Sequence, residues 1–380
     1  MVKNWILPLA ITILSAPAFA QDDNGSGDAE YRAPKPLVIE GYGEVYYGYD
    51  LNTPASNNRP DFVYSHNRHN EVNINLAMLR AKYEKDRVRA NIGIMAGTYA
   101  NANLSAEPGV LKNIYEANAG VRLHKYREVW LDAGIFESHI GSEGAISMDC
   151  PTLTRSLIAE GSPYYEAGVR LSYTTINKKL YFALLHLNGW QRIQRPAGYS
   201  TPAGGMQITY TPSDKVLFNL STFVGSDRPD IDKSTRYFAD FFTKIQLAKK
   251  LEVTATFDIG MDHYLVHPTQ QYTESGWLGT ALILKFNATK RAAWVARGEY
   301  FFDPFGLVMP VNVPGIDPEF AIGAYSLGYD RSITSNLLWR VEAKGYVGHD
   351  RSFRKGGALF NDDYVISTSL AFRFNNRKNH

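Results

Sequence analysis

The amino-acid sequence predicts an all-β protein: a transmembrane antiparallel β-barrel of about 16 strands, with short periplasmic turns and long extracellular loops. Three observations predict it. Segments of about 10–13 residues alternate apolar and polar side chains, the stretches between them alternate between short and long, and the last segment ends on aromatic residues. A soluble strand usually runs about 5–6 residues, whereas a tilted membrane-crossing strand needs about 9–11.

The alternation separates apolar side chains from fully charged ones. In the segment 115–124 the apolar set is Tyr115, Ala117, Ala119, Val121 and Leu123, and the opposite set is Glu116, Asn118, Gly120, Arg122 and His124. A soluble β-sandwich with one buried face gives the same pattern. The segment lengths and the connections therefore decide between the two architectures.

Counting the segments gives 16, and an even number places both chain ends on the periplasmic side. They lie near 37–50, 70–83, 87–99, 114–124, 128–139, 163–175, 179–190, 204–211, 215–226, 235–247, 250–261, 276–287, 291–302, 320–330, 335–347 and 363–374. The pattern is weakest at 37–50 and 204–211. A shift of apolar parity within 76–83 predicts either a bulge or a misplaced boundary there.

The connections follow the plan of a bacterial outer-membrane barrel, with short turns on one side and long loops on the other. The short ones lie near 84–86, 125–127, 176–178, 212–214, 248–249, 288–290 and 331–334. The long ones lie near 51–69, 100–113, 140–162, 191–203, 227–234, 262–275, 303–319 and 348–361.

The last segment supports the same plan because its outward set ends on two aromatic residues, which suit the lipid interface. The predicted outward set is Tyr364, Ile366, Thr368, Leu370, Phe372 and Phe374.

The chain divides into four predicted parts. Residues 1–20 are a secretory signal peptide, with one early cation (Lys3), an apolar run and an A-x-A site at 18–20. Residues 21–36 are a polar lead-in, 37–374 are the barrel, and 375–380 are a polar tail. Export of a barrel of this kind places it in the outer membrane of a Gram-negative bacterium.

Composition excludes several classes of function. The formal net charge of +2 gives no reason to expect a nucleic-acid partner. The single cysteine, Cys150, cannot form an internal disulfide and is expected to have no role. No cofactor is expected.

Long motifs between residues 66 and about 195 resemble those of a known family. They are HNRHNEVNINL, RVRANIGIMAGTYANANLSAEPGVLKNIYEANAGVRL, WLDAGIFESHIGSEGAIS, LTRSLIAEGSPYYEAGVRLSYT and LNGWQRIQR. In them the chain resembles the OmpL-like β-barrel porins, an outer-membrane family common in Bacteroidetes. The resemblance implies a porin barrel, without established catalytic residues to carry over and with largely undefined solutes. The sequence departs from the family around 150–151.

Two candidate chemical sites are weighed against simpler interpretations. In SHNRHNEVNINL (65–76), the spacing of His66, His69 and Glu71 resembles that of zinc ligands, but these residues fit a loop-to-strand junction better. There Val72, Ile74 and Leu76 are expected to face lipid, and Asn73 and Asn75 lumen water. His186 is a candidate for an outer-wall hydrolase, yet no G-x-S-x-G motif accompanies it. We predict no metal site and no enzyme.

The inward face predicts a pore, because 16 strands leave an aqueous channel whereas eight do not. The predicted pore-lining residues are Arg87, Arg89, Glu116, Arg122, Glu166, Arg170, Glu252, Asp258, Arg340, Glu342, Lys344 and Arg373. The long connection 140–162 is predicted to enter the barrel and narrow it, with one or two helical turns within 152–159; a plain surface loop is the alternative. Its candidate constriction residues are Glu143, Asp149, Arg155 and Glu160.

The function predicted from these features is passive diffusion of small hydrophilic solutes through a water-filled lumen of mixed charge. The expected partners are outer-membrane lipid and those solutes, and a homo-oligomer is left open. Two alternatives remain: a non-conducting barrel that serves as a scaffold or receptor through its extracellular loops, and a secreted soluble β protein.

Overall fold

The alternating segments form strands that pair with their neighbours in sequence order. The computed structural model describes residues 36–266, 269–309, 319–349, 353–356 and 358–376. The strands are β1 Leu37–Asp50, β2 Val72–Lys85, β3 Val88–Ala96, β4 Ile114–Arg122, β5 Glu128–Glu137, β6 Tyr165–Thr174, β7 Leu180–Leu187, β8 Ala203–Ser213, β9 Val216–Gly225, β10 Thr235–Ala248, β11 Leu251–Val266, β12 Gln271–Thr289, β13 Ala292–Asp303, β14 Phe320–Ser332, β15 Leu337–Gly348, β16 Phe353–Lys355, β17 Ala358–Phe360 and β18 Asp362–Asn375.

Sixteen of these strands close into one antiparallel barrel, so the predicted fold class and strand number are confirmed. The short strands β16 and β17 form a separate hairpin in the last long connection. The barrel closes where β1 pairs with β18, from Glu40 opposite Asn375 to Asp50 opposite Val365. Closure leaves no unpaired sheet edge around the barrel, which is what a lipid environment requires.

The closing strand β18 shows how the alternation works. Most of its outward side chains are exposed, including Tyr364, Ile366 and Phe372, as predicted. Its inward side chains from Asp363 to Ala371 are buried, including Ser367 and Ser369. The period of two therefore places apolar groups outside and small polar groups inside.

Two side-chain orientations on β2 were predicted wrongly. The pairing of β1 with β2 shifts register between Glu44 and Val45, so that Asn75 is an extra residue. Val72 and Ile74 are exposed as predicted, but Leu76 is fully buried and does not face lipid. Asn75 is also fully buried and donates to Glu44, so it does not face lumen water. The bulge reverses the parity of the strand at this point.

The connection predicted at 262–275 is largely strand. β11 continues to Val266 and β12 begins at Gln271, so the two form a hairpin longer than its neighbours. Polar residues such as Asp262 and Ser275 pair within this ladder. The polarity of this segment predicted a loop, but the hairpin continues as strand beyond the part of the barrel in which apolar and polar residues alternate.

The helical elements are short and lie in the long connections. Helix α1 spans Thr98–Asn103 and α2 spans Leu157–Glu160, with 3-10 turns at Gly109–Asn113, Ser147–Asp149 and Asp230–Asp232. Of the helical turns predicted within 152–159, only α2 forms, and it begins after Ser156, whose side chain accepts from the amide of Ala159. None of the helices among the described residues has the length and apolar content needed to cross a membrane.

The inside of the barrel contains an apolar cluster that the polar inward pattern did not predict. Wall residues near the long-loop ends of the strands contribute Phe223, Trp277 and Phe301, and loop residues contribute Phe62 and Ile158. All are buried. Part of the long-loop half of the lumen is therefore packed like a protein core.

Candidate functional site

The connection between β5 and β6, residues 138–164, lies inside the barrel; we call it the lumen loop. Its first part is fixed to the wall by His139. Nδ1 of His139 is 2.9 Å from Glu166, and Nε2 is 2.9 Å from the carbonyl of Thr222. Because both ring nitrogens face acceptors, the geometry favours the doubly protonated imidazolium. Burial lowers the pKa of His139, but the charge and hydrogen bond of Glu166 outweigh it and raise the pKa overall.

The next residues of the lumen loop are attached to strands further around the barrel. The amide of Gly141 donates to Asp240 at 3.2 Å. The carbonyl of Ser142 accepts from Nζ of Lys244 at 3.0 Å. The Ser142 hydroxyl is 2.9 Å from the hydroxyl of Thr256. The loop therefore reaches β10 and β11 within a few residues of leaving β5.

Arg340 on β15 holds the middle of the lumen loop. Its guanidinium pairs with Asp330 at 2.8 Å. It also donates to the carbonyls of Ser147 at 2.7 Å, Cys150 at 3.3 Å and Pro151 at 2.7 Å. Arg340 is 1 % exposed. Three carbonyls thus depend on one buried cation.

A second set of buried charges holds the following turn. Glu342 accepts from the amide of Thr154 at 2.7 Å, and Arg297 donates to the carbonyl of Thr154 at 2.8 Å. Glu299 accepts from the amide of Leu157 at 2.6 Å. Lys344 donates to the carbonyl of Arg155 at 3.0 Å and pairs with Glu299 at 2.8 Å. These wall charges bind loop backbone instead of facing open water.

The four predicted constriction residues have different surroundings. Glu143 accepts from the amide of Ser156 at 3.2 Å and is buried. Arg155, also buried, donates to loop carbonyls, including that of Gly144 at 2.7 Å. Asp149 pairs with Arg373 at 2.7 Å and leaves 54 % of its side chain exposed. Of the four residues, Asp149 is thus the one placed to meet a passing solute.

Glu160 connects the lumen loop to the first long connection. Its carboxylate accepts from the amides of Tyr64 at 3.2 Å and Ser65 at 3.4 Å. Burial raises the pKa of Glu160 to about 7, with Lys344 and Arg155 acting in the opposite direction.

The remaining predicted wall residues form local networks. Arg89 and Arg170 share the carboxylate of Asp132, and Arg122 pairs with Glu128 at 3.1 Å. Glu116 lies 3.7 Å from Arg80, and Arg87 donates to the carbonyl of Arg122. Glu252 accepts from Asn287. Asp258 lies opposite Asp240 in the pairing of β10 with β11.

Several charged residues of the site were not predicted. Arg297 and Glu299 have the inward parity of β13, where Trp294 and Tyr300 are exposed, so alternation contains the signal for them. Lys244 lies on β10 in the same way. Their loop partners are far away in sequence, and no local pattern predicts them.

Two chambers lie beside the lumen loop. The first, of about 260 Å³, lies between the loop and β3–β6, and its lining includes Tyr115, Glu137 and Tyr165. The second, of about 440 Å³, lies towards the short turns, and its lining includes Glu252 and Lys285. Asp149 and Lys244 line both chambers.

Of the other candidates from the sequence, His66 and His69 have structural partners. His66 Nε2 is 3.2 Å from Glu44, and His69 Nδ1 accepts from the amide of Asp50 at 2.9 Å. In the described ranges, no group of three or more His, Cys, Asp or Glu side chains is arranged to hold a metal ion. His186 faces outward beside Phe182, and Cys150 is buried.

Comparisons with known proteins agree with this architecture. Residues 36–374 match a family model described as "Putative beta-barrel porin-2, OmpL-like". An anion-selective porin from Comamonas acidovorans has a similar structure at 9% identity and a TM-score of 0.58, covering 89% of this chain and 99% of that one. OmpF of Salmonella typhi, solved as a complex with daunomycin, is similar in structure at 10% identity and a TM-score of 0.58. The match covers 89% of this chain and 97% of that one.

A third structure is the outer-membrane channel DcaP of Acinetobacter baumannii, at 10% identity and a TM-score of 0.55, with 89% and 97% covered. No curated protein matches the chain in sequence. At these identities the structures show the fold alone.

Proposed function

Because the chain belongs to the OmpL-like porin-2 family of β-barrels, we propose that it is a porin that admits small hydrophilic solutes by passive diffusion across the outer membrane of a Gram-negative bacterium. A barrel of 16 strands is wide enough for an aqueous channel unless its interior is filled. Here the lumen loop fills part of it, so the route is a narrow path beside the loop. The family and fold point to a channel without catalytic activity.

The observation that carries this proposal is the pair of chambers that share Asp149 and Lys244. A solute that moves from one chamber to the other passes an exposed carboxylate and an ammonium group. Opposite charges at one point give little preference for either sign of ion. We therefore propose weak ion selectivity and selection mainly by size.

Diffusion into vesicles tests the proposal. Vesicles that contain the folded barrel are placed in isotonic solutions of uncharged sugars of increasing size, and swelling is followed by light scattering. Monosaccharides should enter and larger oligosaccharides should not. Absence of swelling with every sugar, in preparations shown to be folded by heat-modifiable gel migration, would refute passive diffusion.

The apolar cluster supports a second candidate function. Phe62, Trp277, Phe301 and Ile158 pack inside the long-loop half of the barrel, as in a protein core. A barrel closed in this way is a non-conducting scaffold or receptor that acts through its extracellular loops. The sugar experiment separates the two functions, because such a barrel admits no solute of any size.

A further inference from the structure

Four consecutive short turns carry a concentration of positive charge. They connect β6 to β7, β8 to β9, β10 to β11 and β12 to β13, and these eight strands are contiguous in the barrel. Asp214 is the acidic residue in these turns. Their exposed basic residues, which we call the basic arc, are Lys178, Lys179, Lys215, Lys249, Lys250, Lys290 and Arg291.

The basic arc is poorly neutralised by the protein. Lys250 donates to the carbonyl of Ala288 at 3.1 Å, which leaves its charge in place. Within the described part of the chain, no carboxylate pairs with any of the seven basic residues. The arc thus presents an excess of cations along half of the barrel rim.

Outward-facing aromatic residues place the arc at the membrane surface. Tyr210 and Phe218 stack on the outer wall with ring centres 6.5 Å apart, and Trp294 lies 4.9 Å from Tyr329. Such aromatic belts mark the membrane–water interface. Trp294 is three residues from Arg291, which corresponds to about 10 Å along a strand. The arc therefore lies at the depth of lipid headgroups.

Exposed apolar side chains beside the arc favour lipid over a soluble acidic partner. Ile176, two residues before Lys178, is 72% exposed, and Leu247, two residues before Lys249, is 63% exposed. Apolar groups next to lysines are typical of segments that lie in a membrane interface.

We propose that the basic arc binds the phosphate-bearing headgroups of anionic phospholipids in the inner leaflet of the outer membrane. The lysine ammonium groups pair with phosphate, while Ile176 and Leu247 enter the acyl region. Each cation near an anionic surface is expected to raise affinity about fivefold at low salt, so several together should select anionic over zwitterionic lipid. This inference requires a membrane-inserted barrel and is independent of conduction.

Quenching of the outward-facing Trp294 and Trp339 by brominated lipid measures this selection. The full chain is folded into vesicles of phosphatidylcholine that contain either brominated phosphatidylglycerol or brominated phosphatidylcholine. Because both leaflets have one composition, the orientation of insertion does not matter. The wild type should prefer phosphatidylglycerol at least fivefold, and about 1 M NaCl, where the Debye length is about 3 Å, should remove most of the preference.

Two variants with equal loss of charge locate the effect. The arc variant combines Lys249→Gln, Lys250→Gln, Lys290→Gln and Arg291→Gln. The control removes four cations from the long-loop side with Lys112→Gln, Lys233→Gln, Arg354→Gln and Lys355→Gln. The arc variant should lose most of the preference and the control should keep it. If the arc variant does not fold, the pair Lys249→Gln and Lys250→Gln replaces it, with a partial loss expected.

Three results would overturn the proposal. They are a wild type without preference for phosphatidylglycerol, an arc variant that keeps the preference, and a control that loses as much as the arc variant. A wild type that binds soluble acidic peptidoglycan fragments but shows no lipid preference would assign the arc to another class of partner.

Discussion

Replacing Arg340 with methionine (Arg340→Met) tests whether buried wall charges hold the lumen loop in place. Methionine keeps much of the length and packing of the arginine stem but removes every hydrogen-bond donor. The carbonyls of Ser147, Cys150 and Pro151 lose their charged partner. Asp330 loses its arginine and keeps Lys285 at 3.6 Å.

The size of the effect follows from these contacts. A hydrogen bond to a charged group contributes about 1.5–3 kcal/mol, so three lost bonds weaken the inserted loop by about 4 kcal/mol or more. A factor of ten in an equilibrium corresponds to about 1.4 kcal/mol. The displaced loop should therefore become about a thousand times more populated.

Two assays measure this change. Single-channel recordings should show larger and noisier conductance for Arg340→Met than for the wild type. Limited trypsin digestion should cut the variant after Arg155, which is 1% exposed in the inserted loop. The control is Arg373→Gln, because Arg373 is 35% exposed and its ion pair with Asp149 contributes about 1 kcal/mol or less. Unchanged conductance together with a protected Arg155 in Arg340→Met would refute the reasoning.

Three further predictions concern pH, backbone space and the lipid-facing wall. Because burial raises the pKa of Glu160 from 4.5 to about 7, its stabilisation of the inserted loop is complete below about pH 4.5 and is lost as pH rises through about 7. Wild-type conductance should therefore rise from about pH 5 to about pH 8. The conductance of the Glu160→Gln variant, whose side chain stays neutral, should rise less. An equal dependence of conductance on pH in the two proteins would contradict this. Gly134→Ala should lower the free energy of unfolding by about 1–3 kcal/mol in urea titrations, because Gly134 has φ +128° and an added Cβ would lie 2.2 Å from the Ala117 carbonyl oxygen. Gly298→Ala should lower the free energy of unfolding less, because no atom lies within 4 Å of the new Cβ. Equal losses in the two variants would refute the steric argument. Leu282→Arg should lower the free energy of unfolding by about 2–4 kcal/mol in the same titrations, because Leu282 is 48% exposed on the outward face and lies further along β12 from the aromatic residues Phe286 and Trp294. Thr211→Arg, in the larger chamber, should change stability much less, and equal losses would argue against a lipid-facing wall.

Much of the barrel could be predicted from the sequence because its information is local. The alternation of side chains along the last strand predicted that Tyr364 and Phe372 face outward and Ser367 faces inward, and the structure agrees. The same rule failed at Leu76, because the extra residue Asn75 changes parity just before 76–83, the range in which the parity shift had predicted either a bulge or a misplaced boundary.

The lumen could be predicted less well because its contacts join distant residues. Arg340 was expected to line a pore, yet it binds a backbone carbonyl at Pro151, 189 residues away. Trp277 and Phe301 have inward parity, but a rule that treats the inside as polar does not predict an apolar cluster. Which wall charges face water depends on how the loop packs, and alternation alone does not contain that information.

Planar-bilayer conductance of the wild type and of a variant lacking residues 145–158 tests the central claim most directly. A porin narrowed by the lumen loop should give discrete conductance steps in the wild type and clearly larger conductance steps in the deletion variant. Heat-modifiable gel migration should show that both proteins are folded. Equal steps in the two proteins would contradict the narrowing role of the loop, and no steps in either would contradict the porin itself.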